Sequence, residues 1–128
     1  MELFTREAYE AFILTLPGTK IVEQWDSHVA KVGDKVFSLL TQDRCKWLPK
    51  EDKPYRFIVI HCPGYSFEML TTLSGVNQAS HFAKRRWASI SNNSELSEDD
   101  IKAYITRSHQ LIAAKLTKKL RAELGITI

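Results

Sequence analysis

The chain has 128 residues but only two cysteines, Cys45 and Cys62, and these do not form a Cys-x-x-Cys pair. Two scattered cysteines exclude a disulfide-rich scaffold, and we expect both thiols to be reduced, with Cys62 half-buried at a strand end. Long apolar runs are also missing, because stretches such as residues 11–14 are far too short to span a bilayer. The first residues lack the basic start and apolar segment of a signal peptide, so we expect a cytoplasmic protein that does not act at a membrane.

Sequence motifs of catalysis and cofactor binding are missing as well. The chain contains no Gly-x-Ser-x-Gly, no P-loop and no Gly-x-Gly-x-x-Gly. Its four histidines do not occur at the spacings of metal ligands. We therefore expect no enzymatic activity, no metal and no cofactor, and an unfamiliar active site would need a deep pocket containing His81 or Asp26.

The sequence does have an excess of positive charge, and this excess is concentrated in one segment. There are 18 Lys and Arg residues against 15 Asp and Glu, a net charge of +3. Residues 102–121 hold six of the basic residues and no acidic one, so the rest of the chain, with 12 basic and 15 acidic residues, carries −3. A focused basic surface of this kind indicates a phosphate-rich or acidic partner.

The pattern of apolar residues and turn signals predicts one α+β domain over residues 1–128. Thr5 and Ser97 are expected to cap the first and last helices, and Ser97 is followed by three acidic residues. Strand-like runs on both sides of Gly33-Asp34 indicate a β-hairpin. The other expected elements are strands at residues 55–62 and 81–90 and a short helix at residues 66–73. The order α-β-β-β-α-β-α favours two layers, an antiparallel sheet flanked by helices.

A short basic cluster precedes Trp87 in the expected strand at residues 81–90. Lys84, Arg85 and Arg86 place three cations beside an aromatic ring. Because alternate side chains of a strand face opposite sides, Lys84 and Arg86 would share one face, while Arg85 and Trp87 would share the other. We expect Trp87 to belong to the core, which leaves Lys84 and Arg86 as the candidates for contact with a ligand.

A second set of cations lies near the end of the predicted last helix. Lys115 falls at the edge of the apolar stripe, where its stem can be buried while its ammonium is held at a defined position. His109 lies off the stripe and is expected to face solvent. Lys118, Lys119 and Arg121 follow near the predicted C-terminal end. Cations complement the helix dipole there, so capping and solubility are an alternative to ligand binding.

Several blocks of residues in a fixed order cover nearly the whole chain. They are residues 16–18 (Leu-Pro-Gly), 32–37 (Val-Gly-Asp-Lys-Val-Phe), Pro63, 81–87 (His-Phe-Ala-Lys-Arg-Arg-Trp) and 108–121, which end in Lys-Lys-Leu-Arg. In this order and spacing they resemble the MmcQ/YjbR family of small bacterial proteins. The resemblance implies an α+β fold with an antiparallel sheet flanked by helices, and DNA binding through a double-wing arrangement.

Two positions depart from the pattern of the family that the chain resembles. His61 stands where a lysine is common after the central strand, which removes one expected phosphate contact. Thr117 stands where the family tends to have proline, so we expect the last helix to continue through this position.

The resemblance and the basic segment together predict a DNA-binding protein whose basic strand and last helix neutralise phosphates. The candidate residues are Lys84, Arg86, Lys115, Lys118, Lys119 and Arg121. The alternative is a protein-interaction module that binds an acidic peptide or partner subunit. In that case a strand of the partner could add to the sheet edge, and the loop carrying Trp47 could close over it. The same cations would serve either partner.

Overall fold

The computed structural model describes residues 2–24, 27–41, 57–79, 82 and 84–126. The helices in these ranges are α1 (Arg6–Ile13), α2 (Tyr65–Leu70), α3 (Glu98–Ala113) and α4 (Lys118–Glu123), with a short 3-10 helix at Glu2–Phe4. The strands are β1 (Thr19–Gln24), β2 (Ser27–Val32), β3 (Lys35–Thr41), β4 (Phe57–His61), β5 (Val76–Gln78) and β6 (Trp87–Ser91). No helix within the described ranges has the length and apolar character needed to cross a membrane.

The six strands form one antiparallel sheet in the order β1-β2-β3-β4-β6-β5. Gly33 and Asp34 have φ angles of 54° and 68°, the left-handed values that a two-residue turn between β2 and β3 needs. Among the described residues, four strands precede α2 and two follow it, whereas the sequence predicts three and one. The additional strands are β1 at residues 19–24 and β5 at residues 76–78, which pair at the two ends of the sheet. The α+β fold with an antiparallel sheet and flanking helices is confirmed.

The helices cover one face of the sheet, and alternation along the strands supplies the apolar surface that they bury. Ile58 and Ile60 of β4 are fully buried on this face, as are Ile101 and Ile105 of α3. The opposite face carries a smaller apolar cluster, whose buried members are Val29, Leu39, Val59 and Ala79. Each face of the central strands is therefore apolar, and the helices of the described ranges lie on one of the two faces.

Hydroxyl caps begin the helices where the sequence predicts them. The Thr5 hydroxyl oxygen accepts from the Ala8 N–H at 3.3 Å, and the Ser97 hydroxyl oxygen accepts from the Asp100 N–H at 3.1 Å. The acidic residues in the first turn of α3 add a favourable interaction with the helix dipole. Both predicted caps are confirmed.

A bulge in β3 changes how the sheet meets α3. Phe37 has no partner in β2, because the pairing shifts register beside it. The hydroxyl of Ser108 on α3 donates to the Phe37 carbonyl, and it accepts from the His61 backbone N–H at 2.9 Å. Ser108 thus takes the place of a hydrogen bond between β3 and β4 and attaches α3 to the end of β4.

The strand expected within residues 81–90 is present as β6, but it begins at Trp87, and residues 84–86, which were expected to belong to it, form a turn. Arg85 has a φ of 63°, in the left-handed region, and a strand does not contain such a residue. Its N–H donates to the side-chain oxygen of Gln78 at 2.9 Å. The alternation of faces expected for this basic cluster therefore does not apply.

The single last helix is also wrong, because α3 and α4 are separate helices with a break at residues 114–117. Thr117 does not continue α3, and its hydroxyl oxygen instead accepts from the Leu120 N–H at 3.1 Å and caps α4. The break turns Leu116 into the core, where it is 6% exposed. A Cβ at Gly33 would lie 2.8 Å from Leu116 and 3.3 Å from Leu120, so the hairpin packs closely against both.

Two further expectations are corrected by burial. His109 does not face solvent, since it is 3% exposed and its Nε2 lies 2.8 Å from the Pro17 carbonyl oxygen. Cys62 carries a free thiol that is 3% exposed rather than half-buried, and burial raises its pKa to about 11. The expectations about Asp26, Cys45, Trp47 and His81 lie outside the described residues and stay predictions.

Candidate functional site

An open cleft of about 580 Å³ lies between the end of β4, the turn at residues 84–86 and the end of α3. We call it the cationic cleft and define it by the residues that line it. They are His61, Pro63, Gly64, Lys84, Arg85, Arg86, Leu111 and Lys115. Lysine and arginine supply half of this lining, and none of the lining residues that the structure describes is acidic, so positive charge is concentrated in a concave space.

Hydrogen bonds to the backbone hold the turn at one rim of the cationic cleft. The Gln78 side chain accepts from the Arg85 N–H and donates to the Ala79 carbonyl at 2.8 Å. The Arg86 carbonyl accepts from the Cys62 N–H at 2.8 Å. The backbone of the turn is thereby attached to the segments after β4 and β5, while the side chains of residues 84–86 are exposed.

The end of α3 supplies the opposite rim. Lys115 follows the last residue of α3 by two positions, and its N–H donates to the Ile112 carbonyl at 3.0 Å. Ile112 and Leu116 are 4% and 6% exposed, so the core holds the backbone on both sides of the exposed Lys115 side chain. Leu111, one turn earlier, adds apolar surface to the same wall.

His61 lies at the inner wall, where β4 ends. It is 4% exposed, its ring centroid lies 4.8 Å from that of Trp87, and its Nδ1 has no hydrogen-bond partner among the described residues. Burial lowers the pKa of His61 below its ordinary value, and the positive charges of Lys115 and Arg86 lower it further. The lowered pKa favours the neutral imidazole at pH 7, and the lysines and arginines supply the charge among the described lining residues.

The structure brings together three of the six residues predicted from the sequence to contact phosphate. Lys84, Arg86 and Lys115 all line the cationic cleft. The other three lie outside it on α4, where two are exposed in the first turn and one is in the last. They are Lys118, Lys119 and Arg121.

The position of each cation on α4 determines whether the helix dipole stabilises it. The N-terminal end of a helix is the positive end of its dipole, so cations in the first turn are not stabilised by it. The dipole explanation therefore applies to Arg121 and not to Lys118 or Lys119. A role in solubility or in contact with a partner remains for these two lysines.

Sequence reasoning missed Arg85, His61 and Leu111 as members of one site. The expected strand places Arg85 on the same face as Trp87. Three consecutive long cationic side chains are unusual in a strand, and this signal could have indicated a turn. The family pattern marks His61 only as a position where the phosphate contact of a lysine is lost. Nothing in the spacing of Leu111 relative to residues 84–86 shows that the two segments meet.

The YjbR family model matches residues 14–111. The chain belongs to the YjbR family. All the segments that form the cationic cleft of this YjbR chain fall within the match except Lys115, which lies four residues beyond it.

Two crystal structures are similar in fold to this YjbR chain. One is a Deinococcus radiodurans protein described as a DUF419 domain, with a TM-score of 0.80 and 17% identity, covering 99% of this chain and 92% of that one. The other is a Pseudomonas syringae protein, with a TM-score of 0.62 and 20% identity, covering 84% of this chain and 97% of that one. No curated protein matches the sequence. At these identities the likeness shows the fold alone.

Proposed function

We propose that the protein binds DNA, with the sugar–phosphate backbone held at the cationic cleft, and that it binds without catalysing a reaction. The observation that carries the proposal is the convergence of Lys84, Arg86 and Lys115, joined by Arg85, on one concave surface whose described lining contains no acidic residue. All four side chains are exposed, so they can reach phosphate oxygens.

The chemistry of these side chains suits phosphate. The guanidinium groups of Arg85 and Arg86 can each donate two parallel hydrogen bonds to a phosphate, and the lysines add mobile point charges. Such contacts set the position of a nucleic acid but do not read its sequence. In the double-wing arrangement that the family resemblance implies, β-hairpins approach a groove while the cationic cleft holds the backbone. The cations of α4 extend the same interface.

Fluorescence anisotropy of a labelled duplex with 5′-hydroxyl ends tests the proposal at about 50 and about 200 mM salt, the range over which phosphate-dominated binding collapses. We compare the native chain with Arg86→Glu/Lys115→Glu, which reverses two charges in the cationic cleft. The expected result is weaker binding to every duplex and a salt dependence whose log–log slope is smaller by about 2, since each lost phosphate contact removes about 0.9.

A second double variant, Lys118→Glu/Lys119→Glu, makes the same change of charge on α4. We expect it to weaken binding less than the cleft variant, because these lysines stand outside the concave surface. No binding at the lower salt concentration, or binding that the cleft variant leaves unchanged, would contradict the proposal.

An acidic peptide is the second candidate partner, and the position of β1 favours it. β1 is the terminal strand of the described sheet, so a partner strand could add to its outer edge. The duplex titration separates the two candidates when a polyglutamate peptide is included as a probe. Binding of the peptide without binding of the duplex would replace the DNA proposal with this one.

A further inference from the structure

We propose that the cationic cleft is a site for a nucleotide that ends in a phosphate monoester, with the phosphate between Arg86 and Lys115 and the base towards Tyr65. The ligand is either a free mononucleotide or the 5′-phosphorylated end of a strand, since both present the same chemistry. The inference rests on the proposed function in one respect, namely that nucleic-acid phosphates are what the cleft meets.

The shape of the cleft carries the first step. Its volume of about 580 Å³ lies within the range of about 300–1,000 Å³ that is usual for small-molecule sites. The sugar–phosphate backbone of a duplex can meet the exposed cations at the two rims of this space. A single nucleotide can enter it.

The charge carries the second step. Four cations and no acidic residue line the cleft within the described part of the chain, and this excess matches a dianion better than a singly charged group. A phosphate monoester carries a charge of about −1.5 to −2 at pH 7, whereas a diester within a chain carries a single negative charge. The terminal phosphate is therefore the better partner for the space between Arg86 and Lys115.

Apolar and aromatic surface beside the cations carries the third step. Leu111 and Pro63 line the cleft together with the lysines and arginines, so its walls also suit the organic part of an ester. Tyr65 directly follows the lining residue Gly64 and is 78% exposed. An exposed aromatic ring next to a lining residue is available as a platform on which a base can stack.

The histidine in the wall provides a signal of occupancy. Lys115 at the end of α3 and Arg86 in the turn both lower the pKa of His61, with Lys84 and Arg85 in the same lining. The Trp87 ring, which packs beside the His61 ring, and the Ser108 hydroxyl, which accepts from the His61 backbone N–H, are uncharged. A bound dianion offsets the two positive charges, so the pKa of His61 is expected to rise on binding.

The test uses the full chain in calorimetric titrations with inorganic phosphate, deoxyadenosine 5′-monophosphate and deoxyadenosine, and with single strands of about six nucleotides that carry a 5′-phosphate or a 5′-hydroxyl. We expect the phosphate to raise affinity about tenfold or more, as one charge-assisted interaction does. Tyr65→Ala is expected to weaken binding of the mononucleotide and to leave binding of inorganic phosphate unchanged. NMR titration of His61 with and without phosphate gives an independent readout.

Matched variants locate the effect. Arg86→Gln/Lys115→Gln should abolish the preference for the 5′-phosphate. Lys35→Gln/Lys102→Gln removes the same charge outside the cleft and should preserve it, since Lys35 is exposed on β3 and the Lys102 ammonium lies 5.7 Å from the Phe12 ring centroid. Tighter binding of the phosphorylated strand than of the mononucleotide would identify strand ends as the source, and equal affinity would identify free nucleotides.

The inference is overturned if strands with 5′-phosphate and 5′-hydroxyl ends bind equally, or if the two double variants lose the preference alike. Its failure is distinguishable from failure of the proposed function. Salt-sensitive binding of the 5′-hydroxyl duplex without a gain from terminal phosphate would leave only the DNA proposal, whereas the reverse result would leave only the nucleotide site.

Discussion

The cationic cleft and α4 carry similar side chains, but the two regions hold them in different ways. In the cleft, residues from the turn at 84–86 and from the end of α3 meet around one space, and their backbones are attached to the core. On α4, the lysines lie on a six-residue helix that contains no buried residue. The number of basic residues along the sequence favours α4 as the anion-binding region. The meeting of basic side chains in space favours the cationic cleft. For recognition of an anion, convergence is the property that matters, because a phosphate contacts several donors at once.

The largest effect is expected from the hydroxyl that supports the base of the cleft. Ser108→Ala removes the partner of the Phe37 carbonyl and of the His61 N–H, both of which are buried. Since each unsatisfied buried group costs about 1–3 kcal/mol, we expect the free energy of unfolding to fall by roughly 2–4 kcal/mol in urea denaturation. We expect Ser108→Ala to destabilise the walls of the cationic cleft together with the fold.

Thr106→Ala is the matched control on the same helix. The Thr106 hydroxyl donates to the Lys102 carbonyl at 2.9 Å, so this hydrogen bond lies within α3 and does not join the helix to the sheet. Its removal should change stability by less than about 0.5 kcal/mol. If Ser108→Ala and Thr106→Ala lowered the free energy of unfolding equally, the hydrogen bonds of Ser108 between α3 and the sheet would contribute no more than a bond within the helix.

A smaller effect is expected from the cap of α4. Thr117→Ala removes the acceptor of the Leu120 N–H and should lower the free energy of unfolding by about 1 kcal/mol, while Thr117→Ser should preserve it. Binding of deoxyadenosine 5′-monophosphate should not change in either variant. A loss of nucleotide affinity in Thr117→Ala alone would show that α4 and the cleft act as one region, which breaks the contrast between them.

The smallest effect concerns the pKa of His61, measured by NMR. Lys115→Ala removes one of the two positive charges that lower this pKa, so it should rise towards its ordinary value of 6.5. Lys118→Ala should leave it unchanged, because Lys118 lies outside the cleft. Equal shifts in the two variants would mean that His61 responds to overall charge rather than to the cations around it.

The same lowered pKa predicts how stability depends on pH. Between the folded and the ordinary value, the unfolded chain binds more protons at His61 than the folded chain does. The stability that comes from neutral His61 is therefore fully present above pH 6.5 and is lost as pH falls through the folded pKa. Urea denaturation from pH 7 to pH 5 should show this loss, and His61→Gln should reduce it.

Local signals in the sequence predicted much of the fold. The caps at Thr5 and Ser97 and the turn at Gly33-Asp34 depend on residues within three or four positions of each other, and all are confirmed. The errors arose where distant residues decide the conformation. Gln78 holds the turn that was expected to be a strand, and Leu116 enters the core where a continuous helix was expected.

The candidate site was predicted in part for the same reason. Lys84, Arg86 and Lys115 were recognised by their charge, which is visible in the sequence. Arg85 and Leu111 join them only because the turn and α3 meet in space, and no periodicity in the sequence encodes that meeting. The burial of His61 could not be predicted, because it depends on Trp87 and on the attachment of α3 to the sheet.

That attachment has a consequence for observing the protein in solution. The His61 amide proton is bonded to a side chain of α3 rather than to a neighbouring strand, so it can exchange with solvent only when α3 separates from the sheet. The exchange rate of this amide proton therefore reports how often α3 separates from the sheet at the end of β4. The same strand end forms the inner wall of the cationic cleft. A ligand that bridges the two rims should slow that exchange more than the exchange of amides in β1.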